Sequence, residues 1–317
     1  MITLATKLHR ISFFCFFMLF SLSVAYSNSH ESSRTEYSSY ATEEPSETLN
    51  PEFICVEAFG AFSAKKSSID NSAVPLVYSR WDARLCHTKI MDGCSGFIFS
   101  GGWNGTCLKW QDNRTSPLAQ EFFQYLFASC STYTMDNPLW KWSANGTLFI
   151  DPTYPFHHKY SLCRFIFRGN YECSSALQIH FGLINETGLR RQKTRPIFGF
   201  VINPIETIVI NAVYPVNISA IYLLSPHTSL GTAYRKTSFR KRPDSKRNSE
   251  QQQIIDYESQ GIEAFLKISV AGVCYLKGTF GYAFSQKIFR QLDYAEEALC
   301  SHILPSLYYG ASLNLNF

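Results

Sequence analysis

The sequence has few charged residues and lacks several features that identify a function directly. Charged residues make up 17% of the 317 residues, below the roughly 25% of an average soluble domain, which argues against a disordered or coiled-coil chain. The 29 basic and 25 acidic residues leave a net charge of +4, so overall charge does not indicate nucleic-acid binding. No apolar run reaches the ~20 residues that a membrane-spanning helix needs.

Motifs for catalysis and for cofactors are also lacking. The chain has no Gly-x-Ser-x-Gly, and no glycine-rich loop that would hold a phosphate between a strand and a helix. Its histidines do not follow the spacing of zinc ligands. We therefore predict no catalytic residue, no metal site and no cofactor.

Aromatic residues and cysteines are plentiful. The sequence contains 26 Phe, 18 Tyr, 5 Trp and 10 Cys, and 45% of its residues are hydrophobic. This composition predicts a folded, β-rich protein whose chain is cross-linked by disulfides.

The N-terminus has the pattern of a secretory signal over residues 1–25. Basic Lys7 and Arg10 precede an apolar run at 11–24, and Ser23-Val24-Ala25 supplies small residues where a signal peptidase would cut. We expect a secreted, extracellular protein with no other transmembrane segment. A signal retained as a membrane anchor is the alternative.

Sequons and cysteines agree with secretion. Five Asn-x-Ser/Thr sequons predict surface glycans; they are at Asn104, Asn113, Asn145, Asn185 and Asn217. Removal of Cys15 with the signal leaves nine cysteines, an odd number, so one thiol is free or pairs with another chain.

The chain divides by composition into four parts after the signal. Residues 26–50 read as a disordered Ser/Thr/Glu-rich leader, and 51–129 as a small Cys-rich β module that ends in a helix at 118–129. Short Ile-, Val- and aromatic-rich runs punctuated by Gly, Asn and Pro fill 130–285, which is typical of a sandwich or barrel. We predict strands at 147–150, 162–167, 176–183, 197–202, 207–213 and 220–224. A polar basic insertion interrupts this domain at 226–253, and 286–317 reads as a C-terminal helix and tail.

Residues 145–184 resemble the opening of a CUB domain. The stretch has a small-residue turn, Pro-x-Tyr-Pro at 152–155, then Cys163 and alternating apolar residues, and 278–284 resemble the closing strand of that family. The resemblance covers about 130–285 and implies an antiparallel β-sandwich, CUB-like or jelly-roll-like, with a disulfide between Cys130 and Cys163. The acidic residues that bind calcium in many CUB domains have no counterpart here, so no calcium is assigned.

Two features are candidates for partner binding. Two basic segments would attract an anionic glycan or cell surface; they consist of Arg190, Arg191, Lys193, Arg195 and of Arg235, Lys236, Arg240, Lys241, Arg242, Lys246, Arg247. The second segment also reads as a solvated loop, or as a processing site at Lys246-Arg247. Trp140 and Trp142 lie two residues apart, hence on one face of a strand, and form a candidate partner surface.

The sequence thus predicts a secreted, disulfide-bonded glycoprotein that binds an extracellular protein or anionic glycan. A secreted hydrolase and a structural envelope glycoprotein, held to another chain by its odd cysteine, are the alternatives.

Overall fold

The computed structural model is all-β. It describes residues 53–62, 67–68, 75–91, 95–110, 122–137, 139–155, 157–243, 253–270, 274–292 and 298–316. Besides the 3₁₀ turn His158–Tyr160, the elements are strands: β1 Phe53–Phe62, β2 Ser67–Ser68, β3 Pro75–Ile90, β4 Ser95–Trp110, β5 Phe122–Asn137, β6 Trp140–Ile150, β7 Leu162–Ser174, β8 Leu177–Gly188, β9 Arg191–Ile205, β10 Ile208–Tyr214, β11 Asn217–Ser225, β12 Thr228–Lys241, β13 Gln253–Val270, β14 Cys274–Leu292, β15 Ala298–Ile303 and β16 Ser306–Asn316. In these residues no helix has the length and apolarity to cross a membrane.

The strands form a closed antiparallel barrel. From β3 to β14 each strand pairs with the next along the chain, and β14 pairs with β16. β1 then closes the ring, because it pairs with β16 on one side and with β3 on the other. β2 and β15 lie outside this ring, which leaves fourteen of the sixteen strands in it.

The two ends of the barrel differ in their connections. At the end that we call the short-turn end, strands are joined by two to four residues, at 91–94, 138–139, 175–176, 206–207, 226–227 and 271–273. The opposite, long-loop end carries the eleven-residue connections 111–121, 151–161 and 242–252 together with the two-residue turns 189–190 and 215–216. Phe53 lies opposite Thr88, and Cys55 opposite Asn316, so β1 begins and β16 ends at the short-turn end.

Side chains alternate between the outside of the barrel and its lumen, as the period of a strand requires. On β13, Ile262, Leu266 and Val270 are exposed on the outside, whereas Glu263 and Phe265 are buried in the lumen. The pairing registers continue these two faces through the other strands whose side chains are described, although apolar side chains such as Phe123, Ile166 and Ile197 also lie in the lumen. The outer face is mostly apolar and most charged residues face inward, the reverse of a soluble protein.

At the long-loop end, part of the sheet leaves the barrel wall and enters the lumen. The pairing of β11 with β12 ends at Ile218 and Tyr234, but β12 and β13 stay paired as far as Lys241 and Ile255. β14 pairs with β16 up to Ala283 and with β15 from Gln286 onward. The four segments 235–241, 253–260, 286–292 and 298–303 thus form a separate four-stranded layer, which we call the inner flap.

The flap departs from the wall at an irregularity between Gln260 and Gly261. A Cβ atom on Gly261 would lie 2.6 Å from the carbonyl oxygen of Tyr282 and 3.0 Å from the Cα atom of Ala283. Only glycine allows the two backbones to approach this closely. The bend therefore depends on the residue at this position.

The predicted fold class is wrong. The strands assigned to an N-terminal module and to a CUB-like or jelly-roll-like sandwich belong to one barrel sheet. Residues 122–129 of the predicted helix lie in β5, and the predicted C-terminal helix is replaced by β14 and β15. Half of the polar insertion 226–253 forms β12. The signal and the leader lie outside the described residues.

The predicted Cys130–Cys163 disulfide is absent. Both thiols are free and exposed, and β6 lies between their strands because Cys130 pairs with Gly146 and Cys163 with Leu148. Two interstrand spacings separate the Cα atoms by about 10 Å or more, beyond the reach of a disulfide. Cys86, Cys173, Cys274 and Cys300 are free as well.

Candidate functional site: the lumen and its inner flap

The lumen side of β7, β8 and β9 carries a cluster of basic residues around one acid. Residues 191, 193 and 195 of β9 face inward, and Arg164 faces inward from β7. Glu186 on β8 contacts Arg164 Nη2 and Arg195 Nη2, each at 2.8 Å. We call Arg164, Arg191, Lys193 and Arg195 the basic wall. Glu186 is the one acidic residue that lies beside these four basic residues on the neighbouring strands, so the wall carries a net positive charge.

The inner flap supplies the balancing charge. Asp256 Oδ2 lies 2.9 Å from Arg191 Nη1 in the wall and 2.9 Å from Arg240 Nη1 in the flap itself. Glu258 Oε1 lies 3.8 Å from Arg191 Nη2. Asp256 is 6% exposed, so water screens this contact little. The contact between Arg191 and the two flap carboxylates, which we call the latch, ties the flap to the wall.

Further polar contacts attach the end of β12 to the loops of the long-loop end. Lys241 Nζ lies 3.0 Å from Asp151 Oδ2 and donates to the carbonyl of Gln124. Arg240 donates from Nε and Nη2 to the carbonyl of Leu189, at 3.1 and 3.0 Å. Lys241 is 2% exposed, so loss of its partner would leave a buried charge.

The other face of the flap is apolar and packs against β3, β4 and β5. Tyr257 stacks on Tyr78 with 4.9 Å between ring centroids, and Phe239 lies 5.5 Å from Phe123. These rings belong to the largest buried cluster of the lumen, whose fully buried members are Leu108, Phe123, Ile255, Tyr257, Ile288 and Ile303. The flap is therefore held between an apolar wall and a basic wall, and it fills the lumen at the long-loop end.

A second acid is buried lower in the barrel. Glu263 Oε1 lies 2.8 Å from Arg235 Nε and 3.6 Å from Lys277 Nζ, and Tyr308 donates to Oε2 at 3.2 Å. These groups come from β12, β13, β14 and β16. Charged groups buried to this extent must be paired, as these are.

The structure brings the two predicted basic segments together, but inside the barrel. Arg191 of the first segment and Arg240 of the second share the carboxylate of Asp256. Arg190 lies in the turn between β8 and β9, and Lys236 is half-buried. Arg235 contacts Glu263, and Arg242 donates to the carbonyl of Lys159. Lys246 and Arg247 lie outside the described residues.

The predicted partner surface lies on the outside of the barrel. Trp140 and Trp142 stack with centroids 5.8 Å apart, and Phe181 meets the edge of each ring at 5.8 and 5.5 Å. Tyr171 lies 4.7 Å from Trp140. The cluster sits near the short-turn end, so it forms an aromatic patch on the outer face.

The sequons are distributed between the two faces. Asn104, Asn145 and Asn217 point to the lumen and Asn185 points outward, whereas Asn113 lies outside the described residues. The amide of Asn145 donates to Ser129 Oγ and Ser131 Oγ at 2.8 and 2.6 Å. Glycan occupancy at individual positions stays a prediction.

The acids that organise the lumen are not among the residues predicted from the sequence. Glu186 and Glu263 each lie between two basic residues of the neighbouring strands. Asp256 lies between Arg240 of the neighbouring β12 and Arg191 of the distant β9. The available signal was local: on β7, Arg164 and Arg168 alternate with Phe165 and Phe167, so charged and apolar residues occupy opposite faces of one strand.

Comparisons with known proteins support the fold. No family model matches the chain. It is 28% identical over 252 residues to an uncharacterized protein of Chlamydia pneumoniae, covering 76% of this chain and 79% of that one. It is 29% identical over 254 residues to an uncharacterized protein of Chlamydia trachomatis serovar D, covering 76% and 80%. An outer membrane channel of Pseudomonas putida F1 has a similar structure, with a TM-score of 0.51, 10% identity, and coverage of 87% of this chain and 100% of that one.

The predicted function, partners and localisation are therefore corrected. The chain has the fold of an outer membrane channel, which is incompatible with a freely secreted β-sandwich glycoprotein that binds an extracellular protein or anionic glycan. The prediction of no membrane-spanning segment beyond the signal is contradicted as well, because it considered helices and this chain is built of strands.

Proposed function

We propose that this chain spans an outer membrane as a β-barrel and that its lumen is a channel closed by the inner flap. The outer face of the barrel carries this proposal. From β6 to β11 the described outward positions hold no charged side chain, and Phe165, Leu183, Phe198 and Leu224 are among the residues exposed there. Apolar surface of this extent would drive aggregation in water, whereas lipid accommodates it.

The topology supports the same proposal. Backbone groups in hydrocarbon must be paired, and a closed barrel pairs those of every strand in its wall. The even strand number, the short turns at one end and the longer loops at the other match bacterial outer-membrane barrels. In such barrels the short turns face the periplasm and the longer loops face outward. The short-turn end of this barrel would therefore face the periplasm, and the flap would lie at the extracellular side.

The flap determines how the channel would open. It fills the lumen at the long-loop end and is tied to the wall through Asp256. Replacing Asp256 by Asn removes the negative charge that Arg191 and Arg240 share. The flap should then leave the lumen more often, because a buried ion pair that loses one partner is strongly destabilised.

Conductance in planar bilayers tests the proposal. The refolded wild-type barrel should show channel events, and Asp256→Asn should raise their open probability severalfold. Glu186→Gln is the matched control, because it removes a buried carboxylate whose partners Arg164 and Arg195 both belong to the barrel wall. If the wild type, Asp256→Asn and Glu186→Gln all insert into the bilayer and none of them conducts, the proposed function is contradicted.

A further inference from the structure

We infer that the basic wall binds the oxyanion group, carboxylate or phosphate, of the solute that the channel carries, and that the flap carboxylates occupy this site when the channel is closed. The inference deepens the proposed function by naming a substrate class, and it rests on that function for the role of the lumen. Its site comprises Arg191, Lys193 and Arg195, with Asp256 and Glu258 as the internal occupants.

The spacing of the wall suits an oxyanion. Alternate residues of a strand on one face lie about 6.6 Å apart, so Arg191, Lys193 and Arg195 form a ladder of cations along β9 into the lumen. Guanidinium groups bind carboxylate and phosphate through paired hydrogen bonds. A solute that passes the flap would therefore meet a continuous row of donors.

Donors in this ladder remain available. The Nε atom of Arg195 is buried, and it has no hydrogen-bond partner in the described part of the chain. Lys193 makes no ion pair with any residue that the structure describes. The wall therefore has binding capacity that Glu186 and the flap leave unused.

The flap carboxylates occupy the site incompletely. Asp256 uses Oδ2 for both Arg191 and Arg240, whereas its buried Oδ1 atom finds no hydrogen-bond partner within the described residues. Glu258 reaches Arg191 only at 3.8 Å. A free oxyanion can turn to use the donors that these tethered carboxylates miss. We expect it to compete with the latch and to favour the open flap.

Calorimetric titration of the detergent-refolded barrel with inorganic phosphate tests this site. We expect saturable binding that Lys193→Gln weakens about tenfold or more, as for loss of one charge-assisted hydrogen bond. Lys193→Arg should retain it, and Asp256→Asn should tighten it by removing the internal competitor. Lys267→Gln is the matched control: this lysine lies on β13, 4.6 Å from the Tyr275 ring centroid and away from the wall, so its loss should leave the affinity within twofold.

Acetate in a parallel titration distinguishes a carboxylate site from a phosphate site. Binding of neither probe, or equal weakening by Lys193→Gln and Lys267→Gln, would overturn the inference. A barrel that conducts but binds neither ion removes the inference and leaves the proposed function. A barrel that binds an oxyanion at Lys193 but never conducts would support the binding site and contradict the proposed channel function.

Discussion

An arginine placed on the outer face at Ala311 should cost the barrel much of its stability in a membrane. Ala311 is exposed at the centre of β16 and pairs with Gly278 on β14. A Cβ atom on Gly278 would meet nothing within 4 Å, so the site is open. Ala311→Arg therefore removes little packing and mainly transfers a charge into the surrounding medium.

The expected penalty follows from that medium. Arginine on the lipid face near the bilayer midplane costs about 2–4 kcal/mol, which is roughly 30- to 700-fold in the folding equilibrium. The control is Ser312→Arg, the next residue, which faces the lumen opposite Lys277. Two like charges opposite each other on neighbouring strands cost about 0.2–1 kcal/mol, so Ser312→Arg should lose much less folding free energy than Ala311→Arg.

Reversible urea unfolding from lipid vesicles, followed by tryptophan fluorescence, measures both variants against the wild type. In a water-soluble barrel the two variants would have equal free energies of unfolding, or Ala311→Arg would be the more stable one, because an exposed arginine costs little in water. Equal free energies of unfolding for Ala311→Arg and Ser312→Arg would refute our assignment of the outer face to lipid.

Three further outcomes follow from the described contacts. Gly261→Val should prevent the bend into the lumen, because its side chain would overlap the Tyr282 carbonyl; bilayers should then show a constantly open channel, and wild-type closure would contradict this. Lys241→Met should destabilise the barrel by about 3–5 kcal/mol by leaving Asp151 buried without its partner, and Asp151→Asn in the same chain should restore part of that loss in urea titrations. Because Cys130 and Cys163 are free, Cys130→Ala should leave the midpoint of unfolding the same with and without a reducing agent as in the wild type, and a decrease seen only without reducing agent would show that these two residues form a disulfide.

The sequence predicts the strands of this barrel better than their arrangement. The runs at 162–167 and 197–202 fall within β7 and β9, and the run at 207–213 begins one residue before β10, because an alternating pattern specifies a strand wherever its two faces differ. That pattern is the same for a sandwich and for a barrel. Which face meets water is decided only when β1 closes on β16, more than 240 positions away.

The two incorrect helices have a related cause. On β5, Phe123, Tyr125 and Phe127 face the lumen while Leu126 faces outward. Apolar residues on both faces conceal the period of two, and an apolar run of this kind fits a helical stripe equally well.

The candidate site could be predicted in part. Arg191 and Arg240 are predicted from their charge as binding residues, and both contact the carboxylate of Asp256. The acid itself could not be selected, since its pairing with Arg191 depends on the flap folding inward across the lumen, a contact between strands that are distant in the ring.

The measurement that tests the central claim most directly is a nitroxide scan along β13 in lipid vesicles. A cysteine-free background, into which single cysteines are placed from 262 to 270, is compatible with the free thiols. Accessibility to oxygen, which concentrates in lipid, should peak at 262, 264, 266, 268 and 270 and fall at the residues between them. Accessibility to a water-soluble nickel chelate should stay low at 264 and 266. High nickel accessibility at those two positions would show that the outer face lies in water and would contradict the account.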